Sequence, residues 1–155
     1  MVCLGNICRS PMAEGVLKMK VELANMNHAV EVDSAGTISM HQGEHPDSRA
    51  ISTAKKHGVD ISKLVARQFT VNDFDRFDKI IVMDASNYTD VIKTARNSDD
   101  IKKVKMLLNY SNPDSNNPLP DPYFGGIEGF ERVYQMIDKA CDALIISLEK
   151  EILQS

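Results

Sequence analysis

A cysteine and an arginine six residues apart, Cys3 and Arg9, enclose Leu4-Gly5-Asn6-Ile7-Cys8, and Ser10-Pro11 follow at once. An ionised thiol is a nucleophile, and a guanidinium is a permanent cation whose planar fork matches two oxygens of a tetrahedral oxyanion. A stretch that closes on itself here would set the sulfur beneath a bound phosphate and the guanidinium beside it. Gly5 takes φ > 0 without steric cost, and Asn6 is among the few other residues that tolerate left-handed backbone. The N–H groups from Leu4 to Ser10 can therefore turn inward as an anion nest. Ser10 and Pro11 carry N-cap and first-turn signals, and Met12, Ala13, Val16, Leu17 and Met19 continue as a helix. The loop thus feeds a helix N-terminus, which favours both a phosphate and a thiolate at Cys3.

Cleaving a phosphate monoester through cysteine also needs an acid for the leaving oxygen. Asp121 lies in Pro118-Leu119-Pro120-Asp121-Pro122, where prolines fix several φ angles and hold Asp121 extended. A carboxyl group on so stiff a loop is aimed. Like-charge repulsion from a thiolate and a phosphate dianion would keep a proton on it, and after the leaving group departs the same carboxylate can activate water. Tyr123 and Phe124 follow and can flank a phenyl ring.

The opening octapeptide resembles the phosphate loop of the low-molecular-weight protein tyrosine phosphatases, which reads Cys, any five residues, Arg, Ser. Asp33-Ser34-Ala35-Gly36-Thr37, His57-Gly58, Met83-Asp84-Ala85-Ser86-Asn87 and Asp121-Pro122-Tyr123-Phe124 are similar to that family's segments in the same order, so the resemblance spans essentially the whole chain. It implies a phosphotyrosine-protein phosphatase that hydrolyses aryl phosphate monoesters through a phosphocysteine on Cys3. Arg9 would bind phosphate and Asp121 would act as general acid and base, with no cofactor and no metal. It further implies that Ser10, which by itself can either cap the helix or face the sulfur, contacts the Cys3 thiolate. Asn6 would hold the loop through a network with Ser34 and His57, and Asp84 would support the site from behind. Tyr123 and Phe124 become the rim of a slot deep enough for phosphotyrosine, while Met40 stands where relatives often place an aromatic rim residue. A Cys3–Cys8 disulfide would shield the nucleophile from over-oxidation while switching it off.

Other activities share this loop. A thioredoxin-coupled arsenate reductase needs relay cysteines in mid-chain, and none lies between Cys8 and Cys141. The branch that hydrolyses phosphoarginine tends to carry Thr where this chain has Ile7. Against a phosphate-binding or redox-sensing module without turnover stands the presence of Cys3, Arg9 and Asp121 together, since binding alone would need neither nucleophile nor acid.

Composition narrows the setting. A length of 155 residues with 43% hydrophobic content predicts a single domain over 1–155. A net charge of −4 with scattered basic residues argues against a nucleic-acid surface, so phosphate binding must be local. Apolar runs such as Ile80 to Met83 are too short for a membrane span, and the N-terminus lacks the basic and apolar regions of a signal peptide. Three cysteines make no full disulfide framework, so a cytoplasmic protein with free thiols is expected, monomeric by default, with Cys141 in the core. His41 and His45 have the i, i+4 spacing of a metal pair, but Gly43 and Pro46 argue against the helix that would present them.

The positioning elements alternate. Strands are expected at Met1–Cys3, Val30–Ser34, Lys79–Met83 and Val104–Leu108, and helices from Ser10 to about Asn27, Asp47 to His57 and Ser86 to Arg96, with a short turn at Asp73–Arg76. A last helix carries an apolar stripe from Phe130 to Leu148. The alternation predicts an α/β fold, a doubly wound four-stranded parallel sheet with helices on both faces, whose ligands bind beyond the carboxyl ends of the strands. Only Met1 and Val2 precede Cys3, whereas strands typically have about 5–6 residues. Either residues precede Met1, or a short first strand implies reduced stability or strand exchange between molecules.

Overall fold

Strand residues alternate between two buried faces, and that alternation fixes where the reactive loop stands. The computed structural model describes residues 1–155. Its strands are β1 (Val2–Cys3), β2 (Ala35–Gly36), β3 (Ile80–Val82) and β4 (Val104–Met106), all parallel, in the order β2-β1-β3-β4. The helices are α1 (Arg9–Leu23), α2 (Ser48–Lys56), α3 (Asn72–Arg76), α4 (Ala85–Ile92), α5 (Ser98–Lys102) and α6 (Ile127–Gln154). Val2, Ile80, Val82, Val104 and Met106 point to one face, where Phe74 of α3 and Val91 of α4 cover them. Cys3 and Ile81 point to the other, against Met12 and Val16 of α1 and Ile137 and Leu144 of α6. This is the α/β architecture that the alternation predicts. The chain order reverses between β1 and β3, so the crevice opens at the carboxyl end of β1, where the Cys3 loop begins.

Backbone chemistry explains the shifted boundaries. Helix α1 stops at Leu23, short of Asn27, because Asn25 adopts φ 55° and the N–H groups of Asn25 and Met26 turn back to Glu22 and Val21. Helix α2 is capped by Asp47, whose carboxylate accepts the Arg49 N–H, and it closes at Gly58 with φ 80°. Helix α4 begins one residue early, with Asp84 accepting the Asn87 N–H, and ends at Ile92 rather than Arg96. Arg96 leaves the helix because its N–H and guanidinium bind Asp100, with the guanidinium also holding Asp75. Helix α5 was not foreseen; Asn97 caps it through the Asp100 N–H. Strand β4 ends at Met106 because Leu107–Asn109 tighten into a 3₁₀ turn.

The second strand departs from expectation. Val30–Ser34 belong to no ladder, and the paired residues are Ala35–Gly36, which the sequence marks as the strand's end. In the register Val2 faces Ala35 and Cys3 faces Gly36, and the Met1 nitrogen donates to the Asp33 carbonyl at 3.0 Å. A cleft of about 430 Å³ beyond Met1, lined in part by Val30, Val32, Ile80 and Leu148, lies at the opposite end of the strands from the Cys3 loop. No helix is long and apolar enough to cross a membrane.

Helix α1 packs closely under the loop. A Cβ at Gly15 would stand 2.5 Å from Ile61 Cγ2 and 2.8 Å from Val59 Cγ1. Gly15→Ala is expected to destabilise the fold by about 1–3 kcal/mol through overpacking, lowering Tm by roughly 2–12 °C in thermal denaturation followed by circular dichroism.

Candidate active site

The loop leaving β1 turns at Asn6, which adopts φ 57°; Gly5 does not take the positive φ that its type permits. Gly5 answers to crowding instead, since a Cβ there would come within 3.0 Å of His41 Cδ2. None of the backbone N–H groups from Leu4 through Ser10 finds an acceptor within the fold, so this run of donors is available to an anion. Helix α1 starts at Arg9, with Cys8 in the N-cap position and no side-chain cap. The loop is walled by the segment following β2: the Thr37 N–H donates to the Cys3 carbonyl and the Ile38 N–H to the Leu4 carbonyl. Gly36 permits that approach, because a Cβ there would sit 2.8 Å from the Leu4 carbonyl oxygen and 3.1 Å from the Asn6 nitrogen.

A directional hydrogen-bond chain runs behind the sulfur. The Asn6 amide Nδ2 donates to Ser10 Oγ at 2.7 Å and to Ser34 Oγ at 2.9 Å, while its Oδ1 accepts the Arg67 N–H at 3.0 Å. Ser10 Oγ therefore has its own proton free for Cys3 Sγ at 3.0 Å; the Ala35 carbonyl lies farther, at 3.5 Å. This geometry decides between the two roles open to Ser10 in favour of the sulfur. Ser34 Oγ donates onward to Glu14 Oε1 at 2.6 Å. Glu14 is buried and also contacts Lys18 Nζ. Sequence reasoning passed over this carboxylate, although a glutamate at Glu14 between the apolar Met12-Ala13 and Val16-Leu17 was a visible signal. His57 is a correction: it takes no part in the chain. Its Nε2 pairs with Glu131 at 2.8 Å and its ring stacks on Tyr134 with centroids 4.3 Å apart, because the C-terminus of α2 faces α6 rather than the loop.

Arg9 is almost wholly buried and its orientation is imposed from behind. Its Nη1 donates to Asp84 Oδ2 at 2.7 Å and to the Leu119 carbonyl at 2.9 Å. Asp84 thereby serves two elements, capping α4 with one oxygen and holding Arg9 with the other. The remaining Nε–Nη2 edge makes no hydrogen bond, and Nη2 lies 3.7 Å from Asp121 Oδ2. Asp121, partly exposed, accepts the Tyr123 N–H on Oδ1 at 3.0 Å. The opposite ends of the chain therefore meet at Arg9.

Around this centre the rim residues differ in exposure. Tyr123 is 40% exposed, Phe124 96% and Met40 77%, and the two aromatic rings meet edge to face at 5.0 Å. Leu4 is also exposed on the loop itself, whereas Ile7 is half-buried. Cys3, Cys8 and Cys141 are buried free thiols. Burial pushes the Cys8 thiol far up and Cys141 to about 12, and Cys141 lies among the core residues of α6. His41 and His45 do not converge on one point: His41 pairs with Glu44, and His45 Nδ1 meets the Leu64 carbonyl.

A loop of free N–H groups between a cysteine and a pinned arginine, faced by an aspartate from the far end of the chain, has close counterparts. The model of the low molecular weight phosphotyrosine protein phosphatases matches residues 1–154. The human low molecular weight phosphotyrosine protein phosphatase is 41% identical over 144 residues, covering 93% of this chain and 90% of its own. Among solved structures, a protein tyrosine phosphatase from Entamoeba histolytica with Hepes in its active site superposes with a TM-score of 0.91 at 37% identity, covering 97% of this chain and 95% of that one. The Drosophila arginine phosphatase superposes with a TM-score of 0.87 at 33% identity, covering 95% and 94%. By sequence and by fold, this chain belongs to the low molecular weight phosphotyrosine protein phosphatase family.

Proposed function

We propose that the protein hydrolyses phosphotyrosine and related aryl phosphate monoesters through a phosphocysteine on Cys3, without metal or cofactor. The observation that carries this reading is the run of unpaired N–H groups from Leu4 to Ser10, set between Cys3 and the free edge of Arg9 and faced by Asp121. These donors and the Arg9 Nε–Nη2 edge receive the phosphoryl oxygens. The Cys3 thiolate attacks phosphorus, the Sγ–P bond forms as the P–O bond breaks, and protonated Asp121 gives its proton to the departing phenoxide. Asp121, now a carboxylate, takes a proton from water as that oxygen attacks phosphorus. The Sγ–P bond breaks, releasing phosphate, and the Ser10 hydroxyl at 3.0 Å stabilises the returning sulfur anion. Tyr123 and Phe124, with Met40 opposite, form the rim against which the substrate ring rests. The substrates are a tyrosine-phosphorylated protein or a small aryl phosphate, and the free thiols suit a reducing, cytoplasmic setting.

Cys3→Ser is expected to lower kcat by about 10³-fold or more on p-nitrophenyl phosphate, and acid-quenched phosphoenzyme should vanish with it; unchanged turnover would remove Cys3 from the mechanism. Asp121→Asn should lower kcat/KM by about 10²-fold on phenyl phosphate and far less on p-nitrophenyl phosphate, whose leaving group needs little protonation. Equal losses would take Asp121 out of the acid role. Turnover of phosphotyrosine, phosphoserine, phosphoarginine and arsenate measured side by side tests the substrate class, with phosphotyrosine expected to dominate.

Redox control rests on the same loop. Peroxide converts the Cys3 thiolate to a sulfenic acid, and the Cys8 thiol condenses with it to a disulfide, releasing water. Intact mass after peroxide should show a loss of two hydrogens, and Cys8→Ser should regain less activity on reduction than the parent; equal recovery would count against the disulfide.

A further inference from the structure

The acid loop is stiff on one side and free on the other. Pro118, Pro120 and Pro122 fix the backbone around Asp121, but Gly125-Gly126 follow, and residues 121–126 form no regular element. A single side chain from elsewhere grips this free half. The Arg49 guanidinium donates from Nη2 to the Tyr123 carbonyl at 2.9 Å and from Nη1 to the Gly125 carbonyl at 3.0 Å. No other group donates to either carbonyl. The guanidinium lies over the Phe130 ring at 4.6 Å and the Tyr123 ring at 5.5 Å, so it also clamps the start of α6 and one rim aromatic.

Arg49 is itself held. Its Nε and Nη2 bind the two oxygens of Asp47 at 3.1 and 3.0 Å, a bidentate pairing that holds the Asp47 carboxyl below the usual carboxylate range. The Asp47 N–H donates to the Ile7 carbonyl at 2.8 Å, which lies in the loop between Cys3 and Arg9. A continuous path thus runs from the phosphate loop through Asp47 and Arg49 to the two carbonyls beyond Asp121.

We propose that Arg49 is a positioning residue for the general acid, with Asp47 as its anchor: the pair sets the distance between Asp121 and the leaving oxygen of a substrate bound over Cys3. The inference rests on the acid role of Asp121 put forward above. Arg49 touches neither nucleophile nor phosphate and acts through the loop backbone. Lysine has no planar fork, so it cannot bind Asp47 and both carbonyls together.

The test is leaving-group dependence. With phenyl phosphate and p-nitrophenyl phosphate as substrates, Arg49→Met keeps an apolar stem against Phe130 and removes the fork. Its kcat/KM is expected to fall about 10-fold or more on phenyl phosphate and less than about 2-fold on p-nitrophenyl phosphate, because a displaced acid matters only where the leaving group needs a proton. Arg49→Lys should fall between. In the Asp121→Asn background, Arg49→Met should change neither ratio further. Equal losses on both substrates, no loss, or an undiminished effect in the Asp121→Asn background would each overturn the inference. If Arg49→Met fails to give a cooperative melt, Arg49→Lys and Asp47→Asn carry the test; Asn keeps the N-cap acceptor of α2 while removing the charge that orients Arg49. Asp121→Asn alone separates the two ideas: without leaving-group dependence in that variant the acid role itself fails, whatever Arg49 does.

Discussion

One backbone constraint underlies the site: Asn6 sits in left-handed conformation at a buried position, a geometry that costs a non-glycine residue about 1–2 kcal/mol. Three hydrogen bonds through its side chain, to Ser10, Ser34 and the Arg67 N–H, offset that strain. The turn at Asn6 is also what leaves the neighbouring N–H groups without internal acceptors. Those donors are therefore left pointing where an oxyanion could accept them, with no internal acceptor to compete. In the proposed reaction Asn6 would therefore matter through the shape it gives the loop, without a bond to the reacting atoms.

The electrostatics follow the same local logic. The chain is acidic overall, with a net charge of −4, so attraction for a phosphate cannot come from a long-range field. In the proposed site it would come from aligned N–H groups, the start of α1 and Arg9. Asp84 takes part of the Arg9 charge through Nη1, yet in doing so it fixes which edge of the guanidinium faces outward. Asp121 approaches that outward edge only to 3.7 Å, too far for a hydrogen bond, so a ligand need not displace it to reach Arg9. The Glu14 carboxylate lies at the far end of the chain through Ser34, Asn6 and Ser10. It takes the Ser34 proton and so leaves Ser34 Oγ as an acceptor for the Asn6 amide, whose second N–H goes to Ser10 Oγ and leaves the Ser10 proton for the sulfur.

How far the sequence revealed this depends on the range of the interaction. The octapeptide from Cys3 to Ser10 was legible because its residue types act within one loop, and the stripe on α6 was legible because burial repeats every 3.6 residues. Asp121 was legible through its prolines, whose restriction of φ is local. What escaped was set by partners distant in the chain. His57 carried no mark that α6 would claim it through Glu131 and Tyr134, and Glu14 could have been an ordinary solvated helix residue until Ser34 met it. Ser10 and Pro11 looked like an N-cap and first turn, but the sulfur of Cys3 took the hydroxyl that would have capped. The extent of β2 was hidden for a similar reason: Val30–Val32 have strand composition, yet ladder formation depends on what lies opposite, and only Ala35 and Gly36 face β1.

The loop that leaves β1 is held from outside by segments distant in the sequence. Thr37 and Ile38 hold the carbonyls of Cys3 and Leu4, Asp47 holds that of Ile7, and Arg67 holds the side chain of Asn6, so three segments remote in sequence fix successive residues. Gly36 ties two of them together, since its own N–H donates to the Arg67 carbonyl while its missing Cβ admits the loop. Each of these contacts uses a carbonyl or the Asn6 amide and none uses a loop N–H. The fold therefore grips the loop without using any donor that the proposed phosphate site would require, which reconciles a rigid cradle with an open one.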